Sequence, residues 1–269
     1  MDNRAIAVFD SGLGGLTAVR ALQSLLPEEE ILYFADSGRV PYGGRSREQL
    51  RRMAVQDLDF VAGFGVKAIL VACGTISSNA PDLLQRYPVP AFGVLTPGVN
   101  AISRVSGQAP LGVIATEASI RSGVFEQALR RACPGREILA AACPSFVPLI
   151  ESGHCDPGDP LLRWAVEHDL ASLRQAGAAA VLLGCTHYGI ISRAIEDYLG
   201  ADVRLYSAAD CGAQALRDYL TQEDLLGSRG GERFFTSGSG AEFSRAASLF
   251  LGRPLQGPVT EIPVMEEEE

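Results

Sequence analysis

Two cysteines stand at the ends of two apolar runs, Leu70-Val71-Ala72-Cys73-Gly74-Thr75 and Leu182-Leu183-Gly184-Cys185-Thr186-His187. Each has a hydroxyl close by in the chain, and each is preceded at eight residues by a glycine, Gly65 and Gly177. A thiol just ahead of a helix is favoured as thiolate by the positive end of the helix dipole, which draws its pKa from about 8.5 toward neutrality. Such a thiolate is a nucleophile or a base. Two of them on opposite sides of one ligand suit the removal of a proton from one face of a carbon and the return of a proton to the other, which is stereoinversion. Two blander readings stay open. A cysteine at a strand end is often a small buried core residue. Zinc is the other, with Cys73, Cys185 and His187 as ligands, although C-x-H is not a usual ligand spacing and a fourth ligand is not evident. Cys133, Cys143, Cys155 and Cys211 lack such company and read as structural.

Other candidates gather near the same kind of position. Asp10-Ser11-Gly12 follows a short apolar run, where an acid either caps the next helix or works on a ligand, by holding an ammonium or a thiol's proton. The glycines Gly12, Gly14 and Gly15 let backbone N–H groups approach an anion but match no nucleotide-binding fingerprint. Thr116 and Ser119 follow another apolar run, and His187 either caps and packs or orients its neighbouring thiol. Pro41-Tyr42-Gly43 reads as a turn whose N–H groups and phenol also suit a carboxylate. The only lysine, Lys67, sits at the amino end of its apolar run, the wrong end for a pyridoxal Schiff base at these thiols.

The elements that must position these groups alternate along the chain. Apolar runs Ala5–Phe9, Ile31–Ala35, Ala68–Ala72, Ala91–Leu95, Leu111–Ala115, Ile138–Ala142, Ala179–Leu183 and Val203–Tyr206 read as strands. Amphipathic segments such as Gly15–Leu26, Arg47–Phe64, Ile120–Ala132, Pro160–Ala176 and Ala208–Leu220 read as helices between them. This pattern predicts an α/β protein of two similar lobes, each a mostly parallel sheet flanked by helices, with a site in the cleft between them. The boundary is expected near Thr96-Pro97-Gly98, so that residues 1–97 plus 207–269 make the first lobe and 98–206 the second. In open parallel sheets ligands gather at the carboxyl ends of strands, where these residues lie.

Composition narrows the classes. With 269 residues, 47% hydrophobic, 20% charged and a formal charge of −9, the chain reads as an ordinary soluble globular protein. No apolar run nears the roughly 20 residues of a membrane span, and no basic cluster suits nucleic acid. The apolar stretch after Met1 meets Asp10 too soon for a secretory signal, so a cytoplasmic location with reduced thiols is expected. The acidic run Glu266–Glu269 reads as a solvated end.

At these residues the sequence resembles the glutamate racemases, cofactor-independent enzymes that supply D-glutamate for bacterial peptidoglycan. "VFDSGLGGLTAVRAL", "YFADSGRVPYGGRS", "GVIATEASIRSG", "CPSFVPLIESG" and "LLGCTHY" match the family's motifs in order and spacing, from about Ile6 to Leu220. The resemblance implies two α/β lobes, no cofactor, no metal, glutamate as the small-molecule substrate and a homodimer. It implies that Cys73 takes the α-proton from D-glutamate and Cys185 from L-glutamate. Asp10 then assists Cys73, while Glu151 and His187 assist Cys185. Ser11, Pro41, Tyr42, Gly43, Gly74, Thr75, Thr116, Ser119 and Thr186 match positions that hold the ammonium and carboxylates. Two residues depart: the family reads Ala-Cys-Asn-Thr-Ala where this chain has Ala72-Cys73-Gly74-Thr75-Ile76, and Thr where it has Ser119. A lost amide contact costs about 1–3 kcal/mol if its partner stays unpaired. Gly74 therefore motivates an alternative, a racemase of the same superfamily acting on another amino acid or dicarboxylate. A non-catalytic amino-acid-binding protein on the same scaffold is the third reading.

Overall fold

The first strand, β1 (Ile6–Asp10), stays apolar until its last residue because both of its faces are covered. Ile6 and Val8 point into one core cluster, and Ala7 and Phe9 into another on the opposite face. The structure, a computed structural model, describes residues 1–264, so the acidic run 266–269 lies outside the described residues. After β1 come α1 (Leu16–Leu25), β2 (Glu30–Ala35), α2 (Arg47–Ala62), β3 (Ala68–Val71), α3 (Gly74–Asn79), β4 (Ala91–Gly93) and α4 (Leu95–Ile102). A second run follows: β5 (Leu111–Ala115), α5 (Glu117–Ser122), α6 (Val124–Ala132), β6 (Ile138–Ala142), α7 (Phe146–Glu151), α8 (Pro160–Asp169), α9 (Ala171–Gln175), β7 (Ala180–Leu183), α10 (Ser192–Leu199) and β8 (Arg204–Ser207). Last come α11 (Ala208–Gln222), β9 (Gly231–Thr236), α12 (Gly240–Leu251) and β10 (Val259–Glu261).

Among the described residues every strand pairing is parallel. The first sheet has the order β10-β9-β2-β1-β3-β4 and the second β6-β5-β7-β8. The order β2-β1-β3-β4 therefore recurs as β6-β5-β7-β8, with two added strands on the β2 edge of the first sheet. The thiols occupy equivalent places, each after the third strand of its run. Between the sheets α1 packs on α11 and α11 on α4, and one apolar core runs through both lobes. The opposite face of the first sheet packs on α2 through Leu50, Met53, Ala54, Leu58 and Val61. Side-chain caps define several helix starts: Ser46 makes a capping box with Gln49 for α2, and Asp159 caps α8.

All eight expected strands are present, with ends shifted by up to two residues. The expected helix Ile120–Ala132 is two helices, because Gly123 adopts φ +67 and ends α5 before α6 begins. Pro160–Ala176 is likewise broken, at Leu170. Thr96-Pro97-Gly98 lies inside α4 and not in a linker. Among the described residues no helix is long and apolar enough to cross a membrane.

Candidate active site

The carboxyl ends of β1, β3, β5 and β7 converge on a cavity of about 650 Å³. Both Cys73 and Cys185 line it, one from each sheet. Ser11, Pro41, Tyr42, Gly43, Gly74, Thr75, Thr116, Glu151, Thr186 and His187 share the wall. Asp10 and Ser119 are not in it: both are buried just behind. None of the lining residues is lysine or arginine. Lys67 is buried in an ion pair with Glu29 at 2.5 Å, and its ammonium donates to the carbonyls of Asp2 and Leu225.

Cys73 is the N-cap residue of α3, and its thiol donates to the Ser11 hydroxyl at 3.6 Å. The expected lowering of its pKa does not occur. Burial pushes the thiol up to about 12, and the negative field of Asp10 adds to the rise. Desolvation of a fully buried thiolate acts on the scale of several pKa units, whereas a helix terminus contributes about 0.3–1 kcal/mol. Cys73 therefore rests as a thiol.

Cys185 is half-buried at the start of a 3-10 helix, Thr186–Ile191, and its sulfur lies 3.8 Å from Nδ1 of His187. Nε2 of the same ring lies 3.0 Å from Oε1 of Glu151, on α7. Burial alone pulls an imidazole pKa down, but the partnership with Cys185 and Glu151 outweighs it and carries His187 up to about 10. The ring also meets the edge of Phe250 from α12. His187 is thus a buried imidazolium held between the Cys185 sulfur and a carboxylate, and Glu151, with 40% of its side chain exposed, links that pair to solvent.

Asp10 caps nothing. The N-cap of α1 is Gly15, without a side-chain acceptor, and Asp10 accepts the Gly12 N–H at 3.0 Å. Its other oxygen accepts the Thr186 hydroxyl at 3.3 Å, so the carboxylate bonds across the cleft to the residue beside Cys185. Burial pushes it up to about 6, against the pull of the His187 charge and the hydrogen bonds it accepts. A chain of hydroxyls crosses the cleft nearby: Thr75 to Thr116 at 2.9 Å and Thr116 to Ser119 at 3.0 Å. Thr116 also caps α5 through the Ser119 N–H, so its oxygen serves the fold and the wall together.

Tyr42 lines the cavity, but its phenol, which the sequence offered for a carboxylate, has protein partners. It donates into a buried pair of carboxylates, Asp36 and Asp57, which Arg39 also bridges. Burial and the charge of Asp36 push Asp57 well above the usual carboxylate range. Tyr42 instead anchors the loop whose residues Val40 to Gly44 form one wall, and the Gly43 carbonyl accepts the Ala118 N–H of the second lobe.

Sequence reasoning missed Cys143, which lies in the cavity wall with Pro144, Val147 and Pro148. It directly follows β6, and the strand-end rule that flagged the other two thiols applies to it equally. Burial pushes its pKa far up, and it presents an uncharged surface. All six cysteines are free, and among the described residues no cluster of His, Cys, Asp or Glu is arranged to hold a metal ion.

Two parallel sheets of matching strand order close a cavity with one thiol from each, and proteins of this sequence and fold are amino-acid racemases, α/β isomerases. The model of the Asp/Glu/Hydantoin racemase family matches residues 17–216, and the chain belongs to that family. It is 36% identical over 270 residues to a glutamate racemase of Geobacter metallireducens, covering 99% of each chain. Among solved structures it resembles the glutamate racemase of Francisella tularensis in complex with D-glutamate, with a TM-score of 0.90, 34% identity, and 98% of this chain and 99% of that one covered. A glutamate racemase isoform of Bacillus anthracis gives a TM-score of 0.92 at 32% identity, again covering 98% of this chain and 99% of that one.

Proposed function

We propose that this protein is a glutamate racemase that interconverts the L and D enantiomers by proton transfer between two cysteines. The observation that carries the reading is the cavity itself, lined by Cys73 from one sheet and Cys185 from the other. One sulfur, as thiolate, takes the α-proton and becomes S–H; the electron pair left on Cα is delocalised into the α-carboxylate; the opposite S–H delivers its proton to the other face and becomes thiolate. Cys73, resting as a thiol, is set to donate, which pairs it with proton removal on the Cys185 side. His187 and Glu151 then stabilise charge at Cys185 and connect it to solvent.

With no lysine or arginine in the wall, the substrate's carboxylates are held by hydroxyls and peptide N–H groups. Ser11, Thr75, Thr116 and Thr186 supply the hydroxyls, and Gly43 and Gly74 supply backbone. Asp10 sits behind Ser11 and Thr186 as the anionic counterpart of the ammonium. The volume of about 650 Å³ falls within the usual range for small-molecule sites.

Gly74 does not enlarge this cavity. A Cβ at that position falls on the carbonyl oxygen of Gly184, so the space an asparagine side chain would enter is already filled by protein. Gly74 thus offers no added room, and the reading of another amino acid or dicarboxylate as substrate rests on the missing amide contact alone. We assign the product to D-glutamate supply for peptidoglycan in the cytoplasm, and expect a homodimer by light scattering.

The deciding experiment incubates the purified protein with L- or D-glutamate in heavy water, without pyridoxal phosphate or metal. Deuterium should enter Cα as the enantiomers equilibrate. Exchange with another amino acid and none with glutamate would move the assignment to that substrate, and thermal stabilisation by glutamate without any exchange would make the protein a binder.

A further inference from the structure

The segment that carries Cys185 leaves the second sheet and then wedges against the first lobe. On one side stands Gly74, the residue after Cys73. A Cβ there would lie 3.0 Å from the carbonyl carbon of Gly184 and closer still to its oxygen, far inside the roughly 3.5 Å at which heavy atoms meet comfortably. The obstacle is backbone and cannot rotate away. On the other side stands Gly14, where a Cβ would strike the Thr186 hydroxyl and the His187 ring, with Cε1 at 2.5 Å. Those side chains are buried and held, Thr186 by Asp10 at 3.3 Å and His187 by Glu151 at 3.0 Å. A third contact joins them: the Thr17 hydroxyl is shared between the Gly14 carbonyl at 2.8 Å and the Thr186 carbonyl at 3.2 Å, so it ties the two lobes together.

We infer that Gly14 and Gly74 are positioning residues for Cys185: two side-chain-free points of the first lobe grip residues 184 to 187 of the second and set where the second thiol stands against the substrate. Neither glycine has the left-handed backbone that usually explains a glycine. Both are instead places where two backbones, or a backbone and two fixed side chains, come too near for a methyl group. Cys73 belongs to the gripping lobe, so disturbing the grip displaces one thiol relative to the other. The inference rests on the two-thiol reading above for its kinetic consequence, but not for its geometry.

The test replaces Gly74→Ala and Gly14→Ala separately. Because the enantiomers have an equilibrium constant of one, kcat/KM must fall equally in both directions, by about 10²-fold for a displacement near 1 Å. The isotope effects must split. With Cys185 misplaced, proton transfer at Cys185 limits the rate, so the effect of α-deuteration grows for the enantiomer deprotonated by Cys185, expected to be L-glutamate, and shrinks for the other. A variant that is only less stable shows no such split. Alkylation by iodoacetamide, followed by peptide mass spectrometry, should change for Cys185 relative to Cys73. Thr17→Val adds no bulk and covers the case in which the alanine variants fail to fold; it should give the same split with about a fivefold loss. Parent-like activity in both alanine variants, or losses with unsplit isotope effects in the folded variants, overturns the proposal. If the parent itself does not act on glutamate, the functional reading fails and the alkylation ratio alone decides: a ratio unchanged from the parent's overturns the grip.

Discussion

In the first lobe the chain runs from Gly65 through β3 to Cys73 and α3; in the second it runs from Gly177 through β7 to Cys185 and a 3-10 helix. The two glycines share φ +66, and each strand is the third of the same four-strand order. The surroundings at the ends of these matched units differ. Cys73 is buried against a serine hydroxyl, with a carboxylate field behind it. Cys185 is half-buried beside an imidazolium that reaches solvent through Glu151. Elsewhere too the lobes trade chemistry at equivalent places: Asp10 at the end of β1 corresponds to Ala115 at the end of β5, Ser11 to Thr116, and Asp36 after β2 to Cys143 after β6. A repeated scaffold supplies two thiols at related positions, and the residues around them are unlike: one thiol is closed in with its burial holding the proton, the other lies next to a charged ring with a route to solvent.

The equivalence of the thiols is broken most directly by Cys73→Ser and Cys185→Ser. Each should lower racemisation by about 10²–10⁴-fold in both directions, the range for loss of one acid–base group. Racemisation at parental rates in either variant removes that thiol from the chemistry. The difference between the thiols is tested by His187→Asn and Glu151→Gln, which should cost about ten- to a hundredfold, as for a lost charge-assisted contact. His187 is raised from its ordinary 6.5 to about 10, so its contribution to stability is whole below pH 6.5 and is lost as pH rises through about 10. Activity should decline over the same alkaline range, and a pH–rate profile of His187→Asn should lack that limb. An unchanged alkaline limb would separate His187 from Cys185.

Much of this arrangement was legible in the letters because the repeat unit is local. A glycine, a small-residue strand and a thiol follow one another within nine positions in both lobes, and buried parallel strands read as plain apolar runs. What escaped depends on contacts distant in sequence. β9 carries Glu232 and Arg233 on a partly exposed strand, and pairing with β2 makes it a strand where its own pattern does not. The phenol of Tyr42 looks free in sequence, yet folding brings it to Asp36 and Asp57. The thiol of Cys73 precedes a helix as expected, but its pKa follows its burial, which no local motif reveals. The approach of Gly74 to Gly184 joins two lobes and has no local signature at all.

Asp10 sharpens the comparison by setting function against stability in the first lobe, whereas its counterpart in the second, Ala115, has no charge to bury. Its pKa is raised from the ordinary 3.8 to about 6, so the folded protein holds the proton more tightly than the unfolded chain does. The stabilising linkage is complete below pH 3.8 and is lost as pH rises through about 6, which leaves a buried carboxylate as a cost at neutral pH. Asp10→Asn keeps an acceptor for the Gly12 N–H and removes the charge. It should raise stability at pH 7–8 by about 1–3 kcal/mol, with the gain vanishing below about pH 4, while racemisation falls. Urea melts at several pH values measure it; a variant less stable than the parent at pH 8 would mean the carboxylate repays its burial through Thr186 and His187.

The smallest effect tests the likeness of the lobes with no chemistry involved. Gly65 and Gly177 lie at equivalent turns before β3 and β7, both at φ +66, and a Cβ at either meets nothing within 4 Å. Alanine at either position therefore adds backbone strain alone, about 1–2 kcal/mol, without collision and away from the cavity wall. Gly65→Ala and Gly177→Ala should destabilise by the same amount within a few tenths of a kcal/mol, leave kcat and KM unchanged, and add in the double variant because the sites share no partner. Unequal losses would mean that the two turns, alike in dihedral angle, are held differently by their lobes, and the structural repeat would then end at the strands without extending to the turns that launch them.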